Sequence, residues 1–331
     1  MPQIVSTENA PTDYLTRLDN KGLIELSGEE RVKYLQGQVT ADMEQLSAEQ
    51  ALLSCHCDFK GKTWNVFYAL QHQDAILMLS HQESIPASLA ELKKYGVFAK
   101  VDVQDVTEQW CCLGGAGKEL EALINNKFGG LPSTHQQVLS SELGMVMCLK
   151  APRVRYLLVL NPQAAELFIN EYRAELSAPA LWEREDIQAA IPEIRSATSN
   201  EFVPQMMNLH ALDAISFSKG CYMGQEVVAR TKFLGKNKRA AFILRAEQAT
   251  DLAPGDALES QAGENWRRGG TVLRVASLAP LEQEVPQQTW LLAVLANDTE
   301  VGATLRLKAQ AQILFKVQSL PYSLEYARST P

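Results

Sequence analysis

The sequence predicts an α+β body followed by a small all-β barrel or sandwich. Three observations carry this. Up to Arg239, strand and helix patterns mix without strict βαβ alternation, which points to α+β rather than to a parallel α/β sheet. Beyond Arg239 the chain turns to short apolar runs separated by Gly, Pro, Asn and Asp, the pattern of a small all-β unit. The length of 331 residues, with 46% hydrophobic and 21% charged residues, is ordinary for a globular protein of about two or three compact units. A boundary is expected near 240–246, dividing residues 1–240 from 241–331.

The elements follow in order. Lys21 to Ser27 alternates as a strand does. Ser27 then precedes Glu30 by three positions, a capping-box signature, with Val32, Leu35 and Val39 at helical spacing behind it. Two apolar runs, Leu52–Phe59 and Trp64–Leu70, flank Lys60-Gly61-Lys62 and read as a β-hairpin. Leu89–Tyr95 reads as a short amphipathic helix and Val97–Val103 as a strand. Asn161-Pro162 is a helix start with Pro in the first turn, and Phe168, Ile169 and Tyr172 supply its buried stripe. Trp182–Ala190 is a further helix, stopped by Pro192. The strands of the last unit are expected at Ala240–Leu244, Thr271–Val275, Trp290–Leu295, Thr304–Leu307 and Ile313–Val317.

Composition excludes several classes. No run approaches the ~18 apolar residues of a membrane span, and Met1–Tyr14 lacks the basic-then-apolar pattern of a secretory signal. Six cysteines, two of them adjacent, make a poor disulfide framework and suit the reducing cytoplasm. A net charge of −8 argues against bulk nucleic-acid binding. Cys55-His56-Cys57 is not a metal site on spacing: along a strand the two thiols share a face and the imidazole points away, with no second ligand pair in view.

The most informative segment is Lys219-Gly220-Cys221-Tyr222-Met223-Gly224-Gln225-Glu226. It sets a thiol between two glycines, beside a lysine, with a carboxylate five residues on. Glycines serve where backbone bends or approaches something closely, and a cysteine near cations is biased toward thiolate. Lys219, Arg230, Lys232, Lys236, Lys238 and Arg239 surround the single acid Glu226, a basic island in an acidic chain that suits a small anionic ligand. The plainer alternatives are a solvated lysine-rich edge and a cysteine that merely packs. Upstream, Asn208 and its neighbours Gln205, Met206 and Met207 offer amides and soft apolar surface to a flat heterocycle.

This segment resembles the K-G-C-Y-x-G-Q-E signature of the YgfZ family, folate-binding proteins related to the T-protein (aminomethyltransferase) of the glycine cleavage system. Tyr34–Asp42, His56-Cys57-Asp58 with Lys60-Gly61-Lys62, Leu92–Tyr95 with Val97-Phe98, Gly263–Arg268 and Pro321–Glu325 fit the same family, so the likeness spans almost the whole chain. It implies a T-protein-like fold: two interlocked α+β domains and a C-terminal β-barrel around a central folate channel. It implies tetrahydrofolate as cofactor, and a role in supporting iron–sulfur enzymes that thiolate tRNA, with a link to control of replication initiation. The family's functional thiol falls on Cys221. Of its two folate-side tryptophans, one falls on Trp182, which has an equal reading as a core anchor. The other position holds Lys21, a cation suited to the anionic glutamate tail.

Around Cys221, the expectation is that Lys219 and Arg230 favour the thiolate, that Gln225 and Glu226 bond the pterin or orient the loop, and that Gly220, Tyr222 and Gly224 shape it. Glu226 is equally a partner for Arg230. One departure matters. The hairpin strand Thr63-Trp64-Asn65-Val66-Phe67 carries no carboxylate where T-protein has its catalytic aspartate, and Asn65 does not titrate. The expected protein is a cytoplasmic folate-binding accessory factor with an indirect tRNA link. A folate-dependent one-carbon transferase on another acceptor is the alternative, and direct tRNA binding the third reading.

Overall fold

The computed structural model describes residues 11–233, 235, 237–278 and 287–325. The body opens with β1 (Tyr14–Arg17), β2 (Lys21–Ser27), α1 (Arg31–Gln36), β3 (Leu52–Cys57), β4 (Thr63–His72), β5 (Ala75–His81), α2 (Ile85–Gly96) and β6 (Asp102–Asp105). It continues with β7 (Cys111–Ala116), α3 (Lys118–Phe128), β8 (Val138–Ser141), β9 (Gly144–Leu149), β10 (Arg155–Leu160), α4 (Pro162–Glu171), α5 (Pro179–Gln188) and α6 (Gln225–Phe233). Six strands follow: β11 (Arg239–Ala246), β12 (Ala257–Ala262), β13 (Asn265–Leu278), β14 (Gln288–Ala296), β15 (Thr304–Leu307) and β16 (Gln310–Val317).

The body holds two five-stranded sheets, ordered β1-β7-β10-β9-β8 and β3-β4-β5-β2-β6. Consecutive strands β1 and β2 lie in different sheets. The chain starts in one, crosses through Leu18–Asn20 to build the other, and returns at β7. This interlocks the two sheets and sets Lys21 at the crossing. Between them lies a shared core that includes Tyr14, Leu23, Leu79, Met147, Leu157 and Trp182. Trp182 sits so close to β7 that a Cβ on Gly114 would fall 2.4 Å from the indole ring; only glycine fits there.

The last six strands close into a barrel, β11-β14-β13-β12-β15-β16, so the barrel alternative holds over the sandwich. Its strands alternate between two apolar environments. Ala240, Phe242 and Leu244 fill the barrel interior with Leu291, Ala293 and Leu295. Ala241 and Ile243 face the body with Leu292 and Val294. Burial on both faces makes these strands read as continuous apolar runs.

Some local expectations shift. No side-chain cap forms at the start of α1, whose N-cap is Glu30: Gly28 enters the left-handed region (φ 104°) ahead of it, so the chain turns before the box closes. The strand expected at Val97–Val103 begins only at Asp102, and Val97 and Phe98 are exposed turn residues. The run is apolar, but β6 pairs with β2 only over Asp102–Asp105. Asn161 does cap α4, accepting from Ala164 N at 2.8 Å.

Candidate functional site

α5 is the unusual element. Leu181 to Ile187 are all buried, including Glu183, Arg184, Glu185 and Asp186. A buried carboxylate is tolerated only when paired and hydrogen-bonded, and here the partners arrive from every side. From the barrel, Arg274 on β13 reaches Glu183 through Nε and Nη2 (2.7 and 2.8 Å) and Asp186 through Nη2 (2.8 Å). From the body, Arg155 Nη2 lies 2.6 Å from Asp186 Oδ1, and the same guanidinium stacks 4.3 Å from the centroid of the Trp182 ring. Arg153 and the Tyr14 hydroxyl take Glu185 at 2.7 and 2.5 Å.

A narrow cleft of about 30 Å³ lies beside this network, where the two sheets, α5 and the barrel meet; its lining includes Lys21, Tyr68, Ser80, Trp182, Asp186, Glu193 and Arg274. Lys21 and Trp182, 161 positions apart, are thus brought together. Lys21 is not a free cation, however. Its ammonium is bound to Glu193, so the expected pairing with a folate tail would have to compete with that carboxylate.

Burial acts to raise the carboxyl of Asp186, but Arg155 and Arg274 outweigh it and hold it below its ordinary value. Lys21 and Arg274 do the same for Glu193 against its burial. Burial raises the Tyr68 phenol well above its usual range. Near neutral pH these carboxylates are charged and this phenol is protonated, so none is poised to exchange a proton. Asn65 is committed as well: its amide donates to Ser80 Oγ (3.1 Å) and accepts from Ser84 Oγ (2.8 Å).

The signature segment lies elsewhere. None of Cys221, Gln225, Glu226 or Arg230 lines the cleft. Their loop docks on the segment after α1: Ser216 N donates to Thr40 O (2.9 Å) and Met223 N to Gly37 O (3.0 Å). At Gly224 (φ 83°) it touches the β3–β4 turn, where a Cβ would fall 2.6 Å from Asp58 O. Asp58 in turn shapes that turn by accepting from Lys60 N and Lys62 N. Three of the stretches singled out in the sequence therefore converge here. Cys221 is exposed and Tyr222 beside it is buried. Around Gly220 there is nothing within 4 Å of an added Cβ.

Several roles expected from sequence need correction. Lys219 does not turn to the thiol: Nζ donates to Val39 O (2.9 Å) and Ala41 O (2.7 Å), and burial pushes its ammonium down to about 8. Arg230 pairs with Glu226 one helical turn away at 2.8 Å, both largely exposed. That is the solvated-helix alternative. Asn208 is no cofactor contact but a clamp, its amide donating to Ala241 O (2.7 Å) and accepting from Ala241 N (3.0 Å). Gln205 likewise holds Val228 O. Lys232 stacks 3.8 Å from the Phe217 ring, and Lys236 lies outside the described residues. The basic island is thus partly spent on internal contacts.

Sequence reasoning missed Arg274, Asp186, Glu193, Arg155 and Ser80. The one available signal was Glu183-Arg184-Glu185-Asp186, a charge run that ordinarily marks a solvated face. Among the described residues no group of three or more His, Cys, Asp or Glu side chains is arranged for a metal, and no helix is long and apolar enough to cross a membrane.

Comparison with known proteins agrees with the resemblance read from the motifs. The family description "YgfZ, beta-barrel domain" matches residues 237–310. A protein named tRNA-modifying protein YgfZ from Serratia proteamaculans is 40% identical, over 94% of this chain and 92% of its own. One of the same name from Colwellia psychrerythraea is 37% identical over 97% of both. In structure, the glycine cleavage system aminomethyltransferase T of Bartonella henselae superposes with a TM-score of 0.70 at 14% identity, covering 94% of this chain and 86% of that one; at that identity the likeness is one of fold.

Proposed function

The chain belongs to the YgfZ family, and from that premise we propose that it is a cytoplasmic folate-binding accessory protein for tRNA modification. In this reading tetrahydrofolate occupies the central cleft. Cys221, on a separate exposed loop, meets iron–sulfur enzymes that thiolate tRNA. The observation that carries the reading is the composition of the cleft. It offers the Trp182 ring and a graded set of fixed donors and acceptors; at about 30 Å³ it has to widen to admit a pterin. It also lacks a carboxylate or phenol poised to exchange a proton near neutrality. Such a site binds and orients a polar heterocycle without assisting proton transfer at it.

Tetrahydrofolate itself would supply one-carbon or reducing chemistry when bound; the residues here would hold it. Trp182, braced by Gly114 and Arg155, presents its ring to the pterin. Asp186 is fixed as an acceptor by two guanidiniums, while Lys21 and Arg274 balance the charges of Glu193 and Asp186 in the lining. The separation of thiol and cleft fits a division of labour, ligand sensing in the centre and partner contact at the surface.

The test is a titration and a paired variant. Tetrahydrofolate should quench the intrinsic fluorescence saturably, and Trp182→Ala should weaken binding at least tenfold. Cys221→Ala should keep fold and folate affinity yet fail to sustain tRNA thiolation in cells. If it sustains thiolation as well as the parent, the role given to the thiol is wrong. Steady turnover of 5,10-methylene-tetrahydrofolate by the purified protein would instead favour the one-carbon transferase.

A further inference from the structure

The barrel seam between β11 and β16 is short. Each strand has eight residues, yet they pair only at Leu244–Val317 and Arg245–Lys316. Beside this seam lies a cavity of about 340 Å³, at the small end of the ~300–1,000 Å³ of small-molecule sites. Arg245, Glu247 and Lys316 line it, with the amide residues Gln248, Gln312 and Gln318. None of these six lines the central cleft.

The charges at the seam do not balance. Arg245 and Lys316 stand directly opposite each other across the two strands, so they share a face of the sheet, and like charges in that position repel. Glu247 is the one carboxylate in the lining. It lies 2.7 Å from Arg245 Nη2 and is 57% exposed. Among the described residues nothing pairs with the Lys316 ammonium. Arg245 Nε is buried without a hydrogen bond, with the guanidinium 5.3 Å from the Trp290 ring. A third cation stands behind. Arg184 is 7% exposed, its Nε is also buried without a partner, and among the described residues no carboxylate pairs with it. It sits one turn before Ile187 on α5, and Ile187 shares a core cluster with Trp290. Burial lowers the Arg184 guanidinium; Glu185 opposes this, and Arg153 and Arg245 add to it. Cations withdrawn from water ordinarily have partners.

We propose that the β11–β16 seam is a binding site for a small dianion, a phosphate monoester or a dicarboxylate. One oxyanion sits between Arg245 and Lys316. As the exposed Glu247 swings out, Arg245 Nε and Nη2 form the two-pronged guanidinium edge that suits phosphate and carboxylate. Lys316 supplies a point charge opposite. The three glutamines bond the polar remainder of the molecule through their amides. Arg184 makes no contact; its charge adds to the positive field at the seam. The site is separate from the folate cleft and does not depend on the function proposed above.

Isothermal titration of the full-length protein at low salt tests this, with ribose 5-phosphate, succinate and unphosphorylated ribose as probes. Ribose 5-phosphate or succinate should bind saturably and ribose should not; the tighter of the two anions tells phosphate from carboxylate. Lys316→Gln should weaken that anion about fivefold, by removing one of its two cations. Glu247→Gln should tighten it about threefold, by removing the carboxylate that competes for Arg245. Both side chains are exposed, so neither change threatens the fold, and the two effects have opposite signs. In the unmodified protein the bound anion should also shift the Arg245 Nε–H resonance. Tetrahydrofolate affinity should be the same in both variants as in the parent. Saturation by neither anion, equal binding of ribose, or one anion affinity across parent and variants overturns the site. Loss of tetrahydrofolate affinity in Lys316→Gln overturns its separateness from the cleft.

Discussion

Gly220 and Gly224 flank Cys221, yet they do different work. Gly224 adopts φ 83° and lies against Asp58 O, where an added methyl has no room. Gly220 faces open space and lies outside the left-handed region. Gly224→Ala should therefore cost about 2 kcal/mol or more, while Gly220→Ala should stay within about 0.5 kcal/mol of the parent, both read from urea unfolding. Equal effects would mean that the loop is not seated as described. The sequence flagged both glycines as sites of close approach. Only one is, because spacing along a chain does not say which side a neighbouring hairpin occupies. The same limit explains Lys219 and Asn208: their chemistry was legible, but their partners, Val39, Ala41 and Ala241, are chosen by docking.

Among the elements, α5 and β13 belong together. Along β13, Val272 pairs with Ala293, whereas Arg274 pairs with Leu292. Leu273 is the extra residue of a bulge. Simple alternation would point Arg274 into the barrel with Val272; the bulge turns it toward the body, where Glu183 and Asp186 wait. Arg274→Leu leaves both carboxylates buried without that partner, and a loss of about 3–5 kcal/mol is expected in urea unfolding. Acid should act through the same buried groups. His56 and His81 are lowered by burial from 6.5 to about 3 and about 4, so the unfolded chain takes up protons first as pH falls. Their share of stability is complete above about 6.5 and is lost as pH drops from there toward 3. Asp186 and Glu193, also lowered, extend the loss below their ordinary values of 3.8 and 4.5. Urea midpoints between pH 7 and 4 should decline, and His56→Asn should flatten part of that slope. A midpoint independent of pH across this range is the contrary result.

For the whole molecule, the buried ion network acts as a joint. Arg274 comes from the barrel, Arg155 and Lys21 from the two sheets, and their carboxylates from α5 and the segment after it. A joint of this kind couples the parts, because separating them would strand charges in the interior. Calorimetry should show one unfolding transition for body and barrel; two well-separated transitions would contradict the coupling. A chain ending before Arg239 should not fold cooperatively, since Glu183 and Asp186 lose Arg274 and the apolar outer face of β11 and β14 is missing. The cleft lies at this joint, so under the proposed function added tetrahydrofolate should raise the single transition as a unit.

By itself the sequence determined the mixed α+β character, the all-β end of the chain, and the identity of the family, because periodicity and the Lys219–Glu226 signature are local properties. It also identified Trp182 and Lys21 as a pair worth watching. The tertiary structure decided the rest: the exchange of β1 between sheets, the missing cap at α1, the bulge that aims Arg274, and the distance between the thiol and the cleft. The physical reason is that a charge run such as Glu183–Asp186 carries the same pattern whether it faces water or a set of arginines. Only packing against remote segments makes it one or the other.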